Sequence, residues 1–161
     1  MSQILPQEDF FQLLSRGKLV SVDLLVRNEH NQILVGYRTN KPAQHTWFVP
    51  GGVVQKNERL PEALDRVALQ ELGVRPTEIS FTAVAQHHYP DNFRGVDDIG
   101  TNYLVIAFEC RIHSAELITD SQHEKALWLS PHELLTHPDV HPYTRAYFDP
   151  TPPSEVIVFM K

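Results

Sequence analysis

The chain has 161 residues with 14 Lys and Arg against 20 Asp and Glu, a formal net charge of -6. This acid excess argues against a general nucleic-acid binder, which presents a basic stripe, and no apolar run approaches the roughly 18–20 residues of a membrane span. The single cysteine, Cys110, excludes an intrachain disulfide and fits a reducing cytoplasm.

With 42% hydrophobic and 21% charged residues, the whole chain, residues 1–161, reads as one globular domain. The opening MSQILPQEDFF has neither a basic n-region nor an apolar h-region, which argues against a secretory signal. A short helix is expected around Glu8–Leu14. Leu19–Arg27 then alternates, with Val20, Val22, Leu24 and Val26 on one side and Ser21, Asp23 and Leu25 on the other, which is strand periodicity. The turn-like NEHNQ at Asn28–Gln32 leads into a second strand at Ile33–Arg38, so the pair predicts a hairpin. Trp47–Val49 is short and apolar and runs into Pro50-Gly51-Gly52. Pro61–Leu72 predicts a helix, with proline in its first turn and Gly73 just past its end. Ile79–Tyr89, Tyr103–Ile112 and Lys125–Leu129 are strand candidates, and a late helix is expected at Pro131–Thr136. Asp149–Pro153 reads as a rigid extended run. The apolar Glu155–Met160 stretch is compatible with a terminal strand or with an interface segment. Strands first, one central helix, more strands and a late helix predict an α+β or α/β/α sandwich with a mixed sheet, not alternating βαβ units.

On a helical wheel at about 100° per residue, Leu60, Leu64, Val67, Ala68 and Leu72 form the core stripe of the central helix. Glu71 falls in the middle of it, at roughly -20° from Leu64. A carboxylate there needs a cation or strong donors; the alternative is a helix-end glutamate that bends out to solvent. Upstream, Gly51-Gly52 permits close backbone approach, and Glu58 lies in the loop before the helix. A glycine turn, a loop acid and an inward helix acid suit a hard divalent cation, which takes oxygen ligands and bridges to substrate phosphates.

The segment from Gly52 to Val74 resembles the Nudix box: a glycine, five residues, a glutamate, seven residues, then Arg-Glu-aliphatic-x-Glu-Glu-x-Gly-aliphatic. Gly52, Glu58, Arg66, Glu71, Gly73 and Val74 match in register, while two signature glutamates are replaced by Val67 and Gln70. The resemblance implies the Nudix α/β/α sandwich. The thinned acid set resembles that of the GDP-mannose mannosyl hydrolases, an atypical branch. Further matches are QEDF, the VSVD strand, GYRTNKPAQ, WFVPGG, QHHYPDNF and the Gln122-His123 pair before Trp128.

That resemblance implies hydrolysis of GDP-α-mannose or a related nucleotide sugar to GDP and free sugar, with inversion by attack of water at the anomeric carbon. It implies one Mg²⁺, with Mn²⁺ not distinguished, held by Glu71, the Gly51 carbonyl and the Gln122 amide oxygen. His123 is the implied general base, its ordinary pKa of about 6.5 suiting proton abstraction near neutrality. Arg38 is placed on the phosphates, where a guanidinium binds in bidentate fashion, and Asp23 on the sugar. His87 and Tyr103 are implied donors to the leaving GDP, and Arg66 orients neighbouring acids. A homodimer is implied, with neither nucleic acid nor membrane as partner. Taken singly, each of these residues has an ordinary reading as a solvated loop group or a half-buried strand group. His88 points to the strand face opposite His87, and Cys110 reads as a structural thiol. Val53 stands where this family has an arginine beside the diphosphate, a loss of roughly a few kcal/mol of transition-state stabilisation unless Arg94 or Lys56 replaces it. A pyrophosphohydrolase cutting at phosphorus and a weak nucleotide-sugar binding module are the rival readings.

Overall fold

The computed structural model describes residues 5–118 and 125–161. Helix α1 (Gln7–Arg16) buries Phe10 and Leu14 and is followed by β1 (Leu19–Arg27). Residues Ser21 to Val26 of β1 are all buried, because both faces of this strand are covered. It is antiparallel to β2 (Ile33–Tyr37) across the expected hairpin, with Arg27 opposite Ile33. Strands β3 (Trp47–Phe48) and β4 (Gly51–Val53) are short; β4 lies antiparallel to β1, with Asp23 opposite Gly51.

Helix α2 (Leu60–Leu72) starts with Pro61 near its first position and ends on Gly73, whose φ of 70° is the left-handed cap conformation. Strands β5 (Thr77–Tyr89) and β6 (Thr101–Arg111) are long antiparallel partners, and β6 runs parallel to β1 from Leu19↔Tyr103 to Arg27↔Arg111. Then come β7 (Ala126–Leu129), α3 (Pro131–Thr136), α4 (Pro142–Ala146) and β8 (Ile157–Met160). The apolar terminal stretch is therefore a strand, antiparallel to β5.

The sheet order is β3-β2-β1-β6-β5-β8, with β4 on β1 and β7 on β2. One parallel pair among antiparallel ones makes the sheet mixed, as expected. It separates two apolar clusters. On one face, Val22, Leu24, Val26, Leu34, Cys110 and Ile112 pack with Leu64, Val67, Ala68 and Leu72 of α2. On the other, Leu25, Ile33, Val35, Ala85, Val105 and Ala107 pack with Leu134 of α3 and Ala146 of α4. The result is the α/β/α sandwich. No described helix is long and apolar enough to cross a membrane.

Gly51 and Gly52 have separate packing reasons. A Cβ on Gly52 would lie 2.9 Å from a methyl of Val67. A Cβ on Gly51 would collide with Asp23 Oδ1 and lie 2.7 Å from the Val22 carbonyl. Val67, at 1% exposure, is thus the residue on which α2 settles against β4. An acid there would be buried against an apolar contact.

Candidate active site

Two cavities flank the β4 edge, and they share Arg38, Phe48, Val49 and Gly51. The first, of about 190 Å³, is lined in addition by Asp23, His87, Tyr89, Tyr103 and Val53. The second, of about 180 Å³, is lined by Glu71 together with Leu34, Gly36 and Leu117. Asp23, His87 and Tyr103 therefore meet on the face away from α2, and Glu71 stands on the α2 face. Arg38 lies just beyond the end of β2 and reaches both cavities. Its Nε donates to the Pro42 carbonyl at 3.0 Å and the guanidinium lies over the Phe48 ring at 5.7 Å, which holds the fork in place.

Sheet order and register make the first cavity. Central β6 sits between β1 and β5. His87 pairs directly with Tyr103, and Tyr103 pairs with Leu19 of β1. Asp23 is 6% exposed and His87 3%. Burial raises the Asp23 carboxyl to about 7, against the opposing effects of a 2.7 Å hydrogen bond from Tyr147 and of the Arg38 charge. The desolvation of a buried carboxylate outweighs one phenol donor and one nearby cation. Burial also pushes the His87 imidazole down to about 3, with further repulsion from His141 and His88. Tyr89 and Tyr103 are both raised by burial and keep their protons. The cavity thus combines one acid that titrates near neutrality, one neutral imidazole, two phenol donors and one permanent cation.

Five lining or supporting residues escape the sequence reading. Tyr89 shares the His87 face two residues on, so strand alternation was a sufficient signal for it. The others come from the His141–Tyr147 stretch. Tyr147 bonds Asp23; Tyr143 stacks on His87 at 4.4 Å with an interplanar angle of 8°, and its hydroxyl bonds the His88 backbone N–H and carbonyl. His141 accepts from the Tyr143 N–H through Nδ1 and packs against Phe48 and Tyr89, and burial with nearby Arg38 and Arg145 lowers it to about 4. Thr144, fully buried, accepts from the Val49 N–H at 3.2 Å. An aromatic-rich HPYTRAY run was the available clue.

On the α2 side, the loop acid offered for a cation is already engaged. Arg66 holds Glu58 in bidentate fashion at 2.6 and 2.9 Å, and also reaches the Val53 carbonyl and Gln70. That hydrogen-bonded pair lowers the Glu58 carboxyl and raises the Arg66 guanidinium. Glu71 is half-buried and lines its cavity, neither sunk into the apolar stripe nor turned fully outward. Among the described residues no group of three or more His, Cys, Asp and Glu is placed to hold a metal. Glu71 beside Gly51 is a carboxylate-plus-carbonyl donor set, which fits a single hard cation that keeps waters and takes substrate oxygens; it does not fit a multi-metal cluster. Gln122 and His123 lie outside the described residues.

Val53 lines the first cavity at 40% exposure. Neither cation considered as its replacement lines either cavity. Arg94 donates to the Leu5 carbonyl at 2.8 Å and covers the Phe10 ring, and Lys56 is exposed. His88 is exposed on the opposite face, with Lys18 Nζ 3.0 Å from its Nε2. Cys110 is buried in the α2-side core, and its thiol is pushed up to about 12 by burial and the adjacent Glu109.

The chain is 38% identical over 146 residues to the low-salt glycan biosynthesis protein Agl8 of Haloferax volcanii, covering 90% of this chain and 89% of that one. A MutT protein from Methanosarcina mazei superposes with a TM-score of 0.68 at 21% identity, covering 84% of this chain and 94% of that one. The NUDIX domain of Shewanella oneidensis NrtR, complexed with ADP ribose, superposes with a TM-score of 0.58 at 16% identity, covering 84% and 90%. Both structures share the fold. The NUDIX domain model matches residues 17–150, and with the Haloferax relative aligned along nearly its full length, the chain belongs to the NUDIX domain family.

Proposed function

We propose that the protein hydrolyses a nucleotide sugar, with GDP-mannose the first substrate to test, by attack of water at the anomeric carbon. The observation that carries this reading is the cavity in which Asp23, Arg38, His87 and Tyr103 converge, joined through Arg38 and Gly51 to the cavity that holds Glu71. A diphosphate at the shared wall leaves the sugar among the buried hydrogen-bonding groups of the first cavity. The glycan-biosynthesis name of the Haloferax relative supports a sugar-linked substrate.

Arg38 binds the diphosphate and offsets charge as the leaving group departs. Asp23 faces the sugar and stabilises positive charge that develops at the anomeric carbon. Tyr103 donates a hydrogen bond toward the leaving nucleotide. His123 takes a proton from the attacking water; a carbon–oxygen bond forms at the anomeric carbon on the side opposite the diphosphate, and the old carbon–oxygen bond breaks with its electron pair going to the diphosphate oxygen. Inversion is the required outcome. A Mg²⁺ or Mn²⁺ ion, held by Glu71, the Gly51 carbonyl and Gln122, would supply neutralisation of the diphosphate charge. A dimer is part of this reading.

The test is product analysis on GDP-mannose with Mg²⁺ in ¹⁸O-labelled water. GDP plus labelled free mannose supports the mechanism, and retained anomeric configuration refutes the single displacement. GMP plus mannose phosphate means attack on phosphorus. GDP binding without turnover over many nucleotide sugars favours a binding module.

A further inference from the structure

Tyr147 is 5% exposed and follows α4 directly, yet its hydroxyl reaches Asp23 of β1. A phenol has a single proton, and with Asp23 ionised it is donated to Asp23 Oδ2 at 2.7 Å. Burial and the neighbouring carboxylate hold the Tyr147 pKa well above its ordinary value, so that proton stays on the phenol. The oxygen then has only lone pairs to offer. His87 Nε2 lies 3.4 Å from the same oxygen, and that contact is attractive only if Nε2 carries a hydrogen. The imidazole is neutral near pH 7, so a proton on Nε2 leaves Nδ1 bare. Stacking on Tyr143 sets the plane of the imidazole but does not distinguish its two edges; the Tyr147 hydroxyl does.

We infer that Tyr147 is a positioning residue that sets the hydrogen-bond polarity of the first cavity, anchoring Asp23 through Oδ2 and fixing His87 as its Nε2–H tautomer. With Asp23 ionised, the cavity then offers two acceptors, Asp23 Oδ1 and His87 Nδ1, to hydroxyl groups of the ligand. Polyhydroxylated ligands are selected over ligands that bring only acceptors. The donor role expected of His87 passes to Tyr103 and Tyr89, whose phenols remain protonated. The identity of the ligand rests on the nucleotide-sugar reading; the tautomer does not.

Long-range ¹H–¹⁵N correlation spectra of the imidazoles test the tautomer without any substrate, with the His87 signals assigned by their loss in His87→Gln. The wild type is expected to show His87 protonated on Nε2 and bare on Nδ1, and Tyr147→Phe to show a mixture. A wild-type His87 protonated on Nδ1 overturns the inference, whatever reaction the protein performs. In the kinetic arm, Tyr147→Phe lowers kcat/KM for GDP-mannose about 10–100-fold, the loss of one hydrogen bond to a charged partner, while the GDP inhibition constant stays within about twofold. Adding Asp23→Asn to Tyr147→Phe costs less than the product of the two single effects. GDP affinity falling in step with kcat/KM would mean general damage and would overturn the positioning role. Absence of wild-type turnover would refute the hydrolase reading alone, with the spectra still deciding the tautomer.

Discussion

Replacing Asp23 with asparagine removes the titration of a buried carboxyl while keeping an acceptor for Tyr147. In the folded protein this group titrates near 7, against 3.8 unperturbed. The sign follows from the raised value. Between these two values the folded state holds the proton and the unfolded state has released it, so the contribution is fully present below about pH 4 and is lost as pH rises through 7. A shift of roughly 3 units at about 1.4 kcal/mol each amounts to about 4 kcal/mol. Asp23→Asn is therefore expected to match the wild type at pH 4 and to exceed it by up to about 4 kcal/mol at pH 8, or roughly 8–16 °C in Tm for a chain of this size. His87, pushed down to about 3, acts in the opposite sense, its contribution present above 6.5 and lost as pH falls toward 3. Both proteins carry it, so it cancels in the difference. Urea unfolding of the pair at pH 4, 6 and 8 is the assay. A stability difference that does not change with pH would refute the assignment of the raised titration to Asp23. Turnover should fall steeply in the same variant, which would place the cost of burying this acid on the side of function.

Gly51→Ala drives a methyl into Asp23 Oδ1 and the Val22 carbonyl, and activity should fall at least about 100-fold, the scale set by an ångström of misplacement; a fully active Gly51→Ala would show that Asp23 is not held where the reaction needs it. Val67→Glu restores a box acid in sequence but buries an unpaired charge against Gly52. It should destabilise by about 3–5 kcal/mol and yield no gain in Mg²⁺-dependent turnover, as read by calorimetry and by metal titration. Cys110, buried with its thiol near 12, should resist Ellman's reagent at pH 8 in the native state and react once the protein is unfolded. Arg38→Gln should raise KM for the nucleotide sugar and the GDP inhibition constant together, about 10-fold or more, because Arg38 lines both cavities; an unchanged GDP constant would remove it from the phosphates.

Local pattern was enough for much of the architecture. Leu19–Arg27 and Pro131–Thr136 were readable to the residue, the first from two-residue alternation and the second from its proline start. The central helix begins at Leu60, one residue before its proline, and ends at the glycine its sequence offers. What went unread is short. Gly51–Val53 has little strand propensity of its own and is a strand because it pairs with β1. Pro142–Ala146 is too short to be helical alone; Thr144 and Tyr147 tie that region to Val49 and Asp23.

The site divides in the same way. From the sequence, the box spacing identifies Glu71 and the glycines, and parity assigns faces to Asp23, His87 and Tyr103. Parity is a property of single strands and says nothing about which strands are neighbours. Only the order β1-β6-β5 and the register His87↔Tyr103 bring those three side chains to one cavity. Burial in that cavity lifts Asp23 and, with the nearby His141 and His88, depresses His87, and Tyr143 and Tyr147, which stack on His87 and bond Asp23, come from far along the chain. Desolvation and hydrogen-bond partners are set by contacts distant in sequence, so the residue types were legible in the chain and their protonation was decided by the fold.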